Sequence, residues 1–525
     1  MPSFYTLKHI FMLKSLFFAP LFLTIASLSA QPSIQWQITL GGTLYDEPSC
    51  IEQTADGGYI AAGTTVSDDG DVETNYGSFD FWVIRLDSLG QVVWKKNYGG
   101  SGWEEALAVR QTPDGGFILA GHTESNDLDV SGNHGNKDAW VLKLDGDGIA
   151  EWQKCLGGSG RDEASDIQVS KDGGYILAGW SASTDGDVSG NHGSIDCWVV
   201  KLSATAVIEW QKSYGGSDVD YAHSVSPTSD GGYIVAGRSQ SDDGNVIGGP
   251  PGMNAWVLKL NFEGKIEWQH SLGGTGIDRA NEIHQTKDGG YIMIGQTGSD
   301  DGDVTGHNGG YYDVWVVKLN ASGGIEWQQA LGGTSEDYGR SICQTSDDGY
   351  VLTGLVNSKN GDVTGNHGSS DLWVVKLTPE GDLVWQKAFG GTNAERGHSI
   401  EQTTDGGFII AGDAWSNNGD VSGVQGKTDF WIIKLAPESS ASFSPSVLSV
   451  EIYPNPAQHT ITLQIPSEQP PLHIRISNAL GRTVGQQTLI NETPINVAEL
   501  PNGLYWVHAT SLSGKIYTGK FLIAR

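Results

Sequence analysis

An all-β chain closed into a seven-bladed β-propeller is the fold this sequence predicts, and three observations predict it. Two series of tryptophans recur at a spacing of 58 residues, with one spacing of 59 in each: Trp36, Trp94, Trp152, Trp210, Trp268, Trp327 and Trp385 around an Ile-Glu-Trp-Gln consensus, and Trp82, Trp140, Trp198, Trp256, Trp315, Trp373 and Trp431 in Asp-x-Trp-Val-Val-Lys-Leu. Between them, apolar and polar residues alternate in short runs bounded by glycine and aspartate, which is the period of a strand and not of a helix. The chain also enters its repeat out of phase, so the first run and the last complete one another. Fixed-period repetition of this kind signals a solenoid, a propeller or an array.

Each repeat reads as four antiparallel strands. In the third copy the runs are Ala164 to Val169, Gly174 to Trp180, Cys197 to Leu202 and Val207 to Tyr214. The first two are joined by Lys171-Asp172-Gly173-Gly174, where glycine supplies the positive backbone angles of a tight hairpin. The same turn recurs at Asp56, Asp114, Asp230, Asp288 and Asp405, and becomes Asp347-Asp348-Gly349 in the sixth copy. The second and third strands are joined by a loop of about sixteen residues such as Ser183-Thr184-Asp185-Gly186-Asp187-Val188-Ser189-Gly190-Asn191-His192-Gly193. Connections in a meander alternate between ends, so this loop and the inter-repeat Gly-Gly-Ser-Gly-Arg-Asp-Glu segment share one face, and the tight turns share the other.

Closure follows from strand order. The repeats begin with a fourth-type strand, Ile34 to Leu40, and end after a third-type strand, Phe430 to Leu435. An open stack would leave an unpaired edge, which proteins normally cover or abolish. Pairing the two ends completes the seventh sheet as three strands plus one, inside the four-to-eight-blade range of propellers. Tryptophans present in every copy then serve the repeat, as packing between blades.

Four segments organise the chain. Residues 1–30 read as a secretory signal peptide, with Lys8, His9 and Lys14 before an apolar stretch from Leu16 to Ile25 and small residues at Ser27, Ser29 and Ala30. Residues 31–435 form the propeller, and 436–448, beginning Ala436-Pro437-Glu438-Ser439-Ser440, form a flexible linker. Residues 449–525 form a small β-sandwich, with runs at Ser449 to Tyr453, Thr460 to Ile465, Leu472 to Ser477, Gly503 to Thr510 and Lys515 to Ile523. No later segment approaches 18 apolar residues, so no transmembrane span is expected in the mature chain.

The patterns Gly-Gly-Ser-Gly-Arg-Asp-Glu-Ala, Asp-Gly-Gly-Tyr-Ile-Leu-Ala-Gly and Asp-x-Trp-Val-Val-Lys-Leu resemble the bacterial seven-bladed β-propeller repeat family. That resemblance implies a fold and a binding role, and supplies no catalytic residues. In the last segment, Tyr453-Pro454-Asn455-Pro456, Ile476-Ser477-Asn478-Ala479-Leu480-Gly481-Arg482, Leu500-Pro501-Asn502-Gly503-Leu504-Tyr505 and Gly514-Lys515 to Phe521 resemble the C-terminal sorting domain of type IX secretion cargo. That resemblance implies handling by the type IX machinery of a Bacteroidetes-type bacterium, export through the periplasm, and then release or attachment at the outer surface.

The formal charge is −31, and the leader at +2, the linker at −1 and the sorting domain at +1 leave about −33 on the propeller. Such a field repels nucleic acid and anionic membranes. Cys50, Cys155, Cys197 and Cys343 show no Cys-x-x-Cys spacing, which argues against zinc or redox chemistry. Only Cys155 and Cys197, from neighbouring blades, are placed where a disulfide is conceivable, and four small buried hydrophobes is the plainer reading.

The sharpest chemical motif is Asp-Gly-Asp in the long loops, at Asp69 and Asp71, Asp185 and Asp187, and Asp301 and Asp303. Carboxylates two apart on a glycine turn can supply hard oxygen ligands to calcium, and the same residues make ordinary capped turns. Asp138, Asp196, Asp313, Asp371 and Asp429, two before the strand tryptophan, read as structural, and His134, His192, His307 and His367 as loop residues. Function is better sought where copies differ. Tyr45, Trp103, Trp180, Tyr221, Tyr311, Tyr312, Tyr338 and Trp415 fall near the loop face where other copies carry small or polar residues. Aromatics beside charged groups suit a surface that binds polysaccharide or protein. The leading expectation is therefore a secreted or surface-displayed, monomeric binding propeller. A carbohydrate-active enzyme is the alternative, with Glu336 and Asp337, or Glu395 beside Arg396, as pairs that would have to converge. A quinone-dependent oxidoreductase is a third class, suggested only by the Gly-x-Ile-Glu-Trp hairpins.

Overall fold

The computed structural model describes residues 31–438, 448–449, 451–464, 472–478, 483–489, 494–511 and 516–525. The expected signal peptide and most of the linker lie outside these. Two compact units emerge, one spanning Ser29–Ser439 and one containing Ser440–Arg525.

The larger unit consists of seven four-stranded antiparallel sheets. Six are continuous in sequence, as in the third blade, Asp162–Val169, Tyr175–Ser181, Asp196–Leu202 and Ile208–Tyr214. The seventh joins Glu395–Gln402, Phe408–Ala414 and Asp429–Leu435 to the N-terminal Ile34–Leu40. The register pairs Leu40 with Phe430 and Trp36 with Lys434, with a shift between Ile34 and Trp36. The fourth strand of the third blade carries the equivalent shift beside Lys201 and Leu202. The N-terminal segment is therefore a true fourth strand, and closure takes the predicted form.

Cores form between blades. Trp198 is fully buried among Tyr175, Val188 and Leu202 of its own blade and Ile118 and Val141 of the preceding one, a burial that contributes about 1.5–3 kcal/mol. Its indole N–H donates to Gln211 at 2.9 Å, and Trp140, Trp256, Trp315, Trp373 and Trp431 repeat the bond to Gln153, Gln269, Gln328, Gln386 and Gln37. Trp82 has no such partner, because Lys95 occupies the glutamine position. The fourth-strand tryptophans pack outward onto the next blade: Trp152 meets Tyr175 at 6.0 Å and Trp210 meets Tyr233 at 6.0 Å. Both tryptophan series thus join blades.

One glycine per blade is demanded by approach, not by backbone angle. The first strand bulges, as between Ala164 and Asp166, and its carbonyl presses on the second strand. A Cβ on Gly179 would sit 1.9 Å from the Glu163 carbonyl oxygen, and one on Gly121 would sit 1.8 Å from that of Glu105. The bulge kinks the innermost strand and sets which of its side chains reach the axis.

In the smaller unit a five-stranded sheet, ordered Leu448–Ser449, Ile516–Ile523, Gly503–Ser511, Leu472–Asn478 and Thr483–Leu489, accompanies a three-stranded one of Glu451–Tyr453, Thr460–Gln464 and Ile495–Asn496. Ile461, Ile474, Val507, Phe521 and Ile523 are among its buried core. Thr483–Leu489 was not foreseen, since Thr-Val-Gly-Gln-Gln-Thr-Leu carries little apolar alternation. Among the described residues no helix is long and apolar enough to cross a membrane.

Candidate functional site

The first strand of each blade lines the axis, and it is the strand whose sequence varies most from copy to copy. Two cavities lie along the resulting channel, one of about 570 Å³ toward the loop face and one of about 440 Å³ toward the tight-turn face. They share a waist formed by Ser49, Leu107, Ser165, His223, Asn281, Arg340 and His398, the fourth residue of each first strand.

Polar groups in the deeper half have structural work to do. Innermost strands are edge strands, and their amides need acceptors. Side chains of the preceding blade supply them. Val225 donates its N–H to Asp166 at 3.0 Å, Ile342 to Glu282 at 2.6 Å, Gln111 to Glu52 at 3.2 Å and Gln53 to Glu401 at 3.0 Å. Ser224, Ser341 and Ser399 do the same for Ile283, Ile400 and Ile51. The charges also pair, with Arg110 3.1 Å from Asp166 and His284 3.1 Å from Glu282.

The loop-face mouth is built differently. The second residue of the seven first strands runs Glu47, Glu105, Glu163, Tyr221, Arg279, Tyr338 and Arg396. Carboxylates therefore occupy blades one to three, while arginines and tyrosines occupy blades four to seven. Arg238, on the second strand beside Tyr221, and Arg340, at the waist, extend the cationic arc. The propeller has seven arginines, and among the described residues only Arg85 and Arg110 form ion pairs. The Nε atoms of Arg238 and Arg279 are buried without a partner. Desolvation, then the nearby Arg279, lowers the pKa of Arg238; Arg340, exposed into the channel, is lowered by desolvation among the converging side chains and then by Arg396. His223, half-buried in the channel wall, is pushed down to about 3 by desolvation and then by Arg238, Arg279 and Arg340, and is neutral. On the opposite arc, burial followed by repulsion from Glu163 pushes Glu105 up to about 7, and burial raises Glu47.

Most of the aromatics singled out from the sequence gather at this rim. Trp103 and Trp180 flank the Lys137 ammonium at 5.8 and 5.6 Å, and Lys137 in turn pairs with Glu163 at 2.9 Å. Trp180 donates its indole N–H to Glu163 at 3.1 Å. Arg238 stacks over Tyr221 at 4.4 Å, Arg279 over Tyr312 at 5.9 Å and Arg396 over Trp415 at 5.2 Å. Tyr312 and Tyr338 are 5.6 Å apart. Lys427 covers Tyr45 at 4.7 Å, and Tyr311, 77 % exposed, stands apart in its loop. Arg238, Arg279, Arg340, Glu47, Glu105 and Glu163 were missed from the sequence, and Arg396 was named only beside Glu395; aligning the seven copies of the first strand at its second residue would have found Arg279 and the three glutamates.

The Asp-Gly-Asp carboxylates fasten the long loop to the inter-blade segment. Asp69, Asp185 and Asp301 accept the backbone N–H of Thr43, Ser159 and Thr275, each at 2.7 Å. Asp71, Asp187 and Asp303 accept from Gly41, Gly157 and Gly273 at 3.2–3.4 Å. In the last two blades Asn360 and Asn418 make the first bond at 3.0 Å, so a neutral amide does the same work. Among the described residues no group of three or more His, Cys, Asp or Glu is arranged to hold a metal ion. His134, His192 and His367 lie 2.7 Å from the buried Asp138, Asp196 and Asp371, and His307 lies 3.0 Å from Asp300. All four cysteines are free; Cys155 and Cys197 sit in separate cores. The carboxylates weighed for an enzyme do not converge. Asp337 is committed to Ser358 and Gly333, Glu395 to Gly391 and Ser416, and Glu336 to the Tyr338 hydroxyl.

By its strand topology, then, the larger unit is a seven-bladed β-propeller. Residues 451–524 match the family described as the secretion system C-terminal sorting domain, so the protein is a type IX secretion cargo destined for the cell surface or the extracellular space. No curated protein matches the chain. Among solved structures it is similar to PorZ, described as an essential surface component of the type-IX secretion system of Porphyromonas gingivalis, at 12 % identity over 92 % of this chain and 60 % of that one, with a TM-score of 0.37. It is also similar to the extracellular domain of a hybrid two-component system from B. thetaiotaomicron, at 10 % identity over 94 % and 60 % with a TM-score of 0.41. A third likeness is to YCF48 bound to D1 peptide, at 9 % identity over 79 % and 100 % with a TM-score of 0.40. The chain spans about 60 % of the length of the first two. Likenesses at this level carry no argument for this chain, whose fold rests on its own strand topology.

Proposed function

We propose that this exported propeller is a binding protein that engages a surface polysaccharide or protein at the loop-face mouth of its central channel. The carrying observation is the contrast within one strand: deep in the channel every charged group holds a backbone amide or an opposite charge, whereas at the mouth four arginines have no carboxylate partner. Unpaired charge gathered around a channel is kept there when something else meets it. The N-terminal leader would take the chain to the periplasm, and the sorting domain onward across the outer membrane of a Bacteroidetes-type cell. Binding of the secreted protein to a glycan array and to surface extracts, repeated with Trp103→Ala and Trp415→Ala, tests the reading. A ligand whose capture falls with either change supports it, and capture indifferent to both variants, or none, sinks it.

One observation favours the enzymatic alternative. Glu105, held near 7, shares the mouth cavity with Glu47 and Glu163, and a raised carboxyl beside an ionised one is how glycosidases divide acid from base. Release of reducing ends from a bound polysaccharide, abolished by Glu105→Gln, would move the assignment to hydrolysis.

A further inference from the structure

The mouth also specifies the chemistry of what it binds, an inference that rests on the binding role proposed above. Its charges fall in two arcs, and the cavity there is lined by Glu47, Glu105 and Glu163 of one and by Arg340 of the other. Arg238, Arg279, Arg340 and Arg396 follow one another over blades four to seven, and Glu47, Glu105 and Glu163 over blades one to three. Guanidinium groups are strong, directional donors that match carboxylate and sulfate oxygens, and carboxylates accept from hydroxyl donors, most freely at Glu47 and Glu105, since Glu163 already holds Lys137. The electrostatic surroundings sharpen this. The propeller as a whole, at about −33, repels anions, so an anion drawn here is drawn by the arginine arc and not by bulk charge. The planar faces of Tyr312 and Trp415, against which Arg279 and Arg396 stack, offer flat apolar area beside those donors.

We propose that the ligand is an acidic glycan, its carboxylate or sulfate groups held by the arginine arc and its hydroxyls donated to Glu47, Glu105 and Glu163. An acidic sugar carries both features in one residue. A neutral glycan would leave the guanidinium groups unmet, and an acidic peptide brings few hydroxyls to the carboxylate arc.

The secreted protein is titrated with polygalacturonate, dextran sulfate, neutral dextran and polyglutamate, as the parent and as Arg279→Gln with Arg340→Gln. Lys265→Gln, at an exposed position outside the mouth, serves as the charge control. The expected result is binding of the two acidic glycans, weakened roughly tenfold or more by the double arginine change, weakened by salt and unmoved by Lys265→Gln. Neutral dextran held as tightly as polygalacturonate, with mouth tryptophan changes still weakening it, would overturn the acidic assignment and leave the binding role standing. Preference for polyglutamate would replace the glycan with an acidic peptide and overturn the proposal. Equal weakening by Lys265→Gln would reduce the effect to net charge and overturn it too. A ligand captured from surface extracts without any response to mouth changes would remove the binding site itself.

Discussion

The two halves of the channel are made by the same seven strands, and they use charge in opposite ways. Toward the tight turns, Asp166, Glu52, Glu282 and Glu401 satisfy the amides of neighbouring edge strands, so these carboxylates belong to the fold. Toward the loops, arginines face one another without an ion pair while Glu105 is pushed upward by burial and then by Glu163. The difference teaches where selection for folding ends, because a buried group that helps nothing around it lowers stability.

The largest expected effect would break both halves at once. Removing residues 31–40 strips the outer strand from the seventh blade and leaves Asp429–Leu435 as an open edge. Loss of a cooperative thermal transition and self-association in sizing chromatography are expected; a normal monomeric melt would mean that the ring does not depend on this closure. Next is Asp166→Ala, which removes the cap of Val225 and the partner of half-buried Arg110. A destabilisation of about 3 kcal/mol in urea is expected, and a change below about 1 kcal/mol would erase the structural reading of the deeper half.

Two changes probe the mouth in the opposite direction. Glu105 titrates near 7 when folded against about 4.3 in an open chain. The folded form then binds the extra proton between those values, so its contribution to stability is full below about pH 4 and falls as pH rises through 7. Glu105→Gln is expected to melt higher than the parent at pH 8.5 and to converge with it by pH 4; a constant offset at all pH values would contradict the assignment. Arg340→Gln removes one member of a like-charged arc and is expected to raise the melting midpoint slightly while weakening binding. A fall of several degrees would make Arg340 a structural residue. The smallest effect is expected from Asp185→Asn, a change the chain itself carries at Asn360 and Asn418. The midpoint should move by no more than about 2 °C, with or without calcium, and a large calcium-dependent loss would assign a metal to these loops.

Much of the fold was legible because repetition is a message about packing. Trp198 is buried for the same reason as six counterparts, and Asp172 turns its hairpin as five others do. The out-of-phase start at Ile34 gave the closure, since an unpaired edge is costly wherever it lies. The site was legible only in part. Trp103, Trp180 and Trp415 stood out as departures from the repeat, whereas Arg238 and Arg340 did not, because a single arginine on a short strand carries no sign of which side chains it faces. Asp69, Asp185 and Asp301 looked like ligands, and the structure places their oxygens on backbone amides of a segment some 26 residues away in sequence. Thr483–Leu489 escaped notice because strand pairing, not apolar alternation, holds it in place.

The sequence by itself determined the number of blades, the order of strands, the closure and the route of export, because these depend on periodicity and on local motifs that each residue reports through its near neighbours. Tertiary structure alone decided which departures from the repeat meet. Residues from blades four to seven, each 41 to 61 positions from the next along the chain, become one cationic arc only when the ring brings their strands to a common axis, and the electrostatics of that arc exist only at the distances the closed ring imposes.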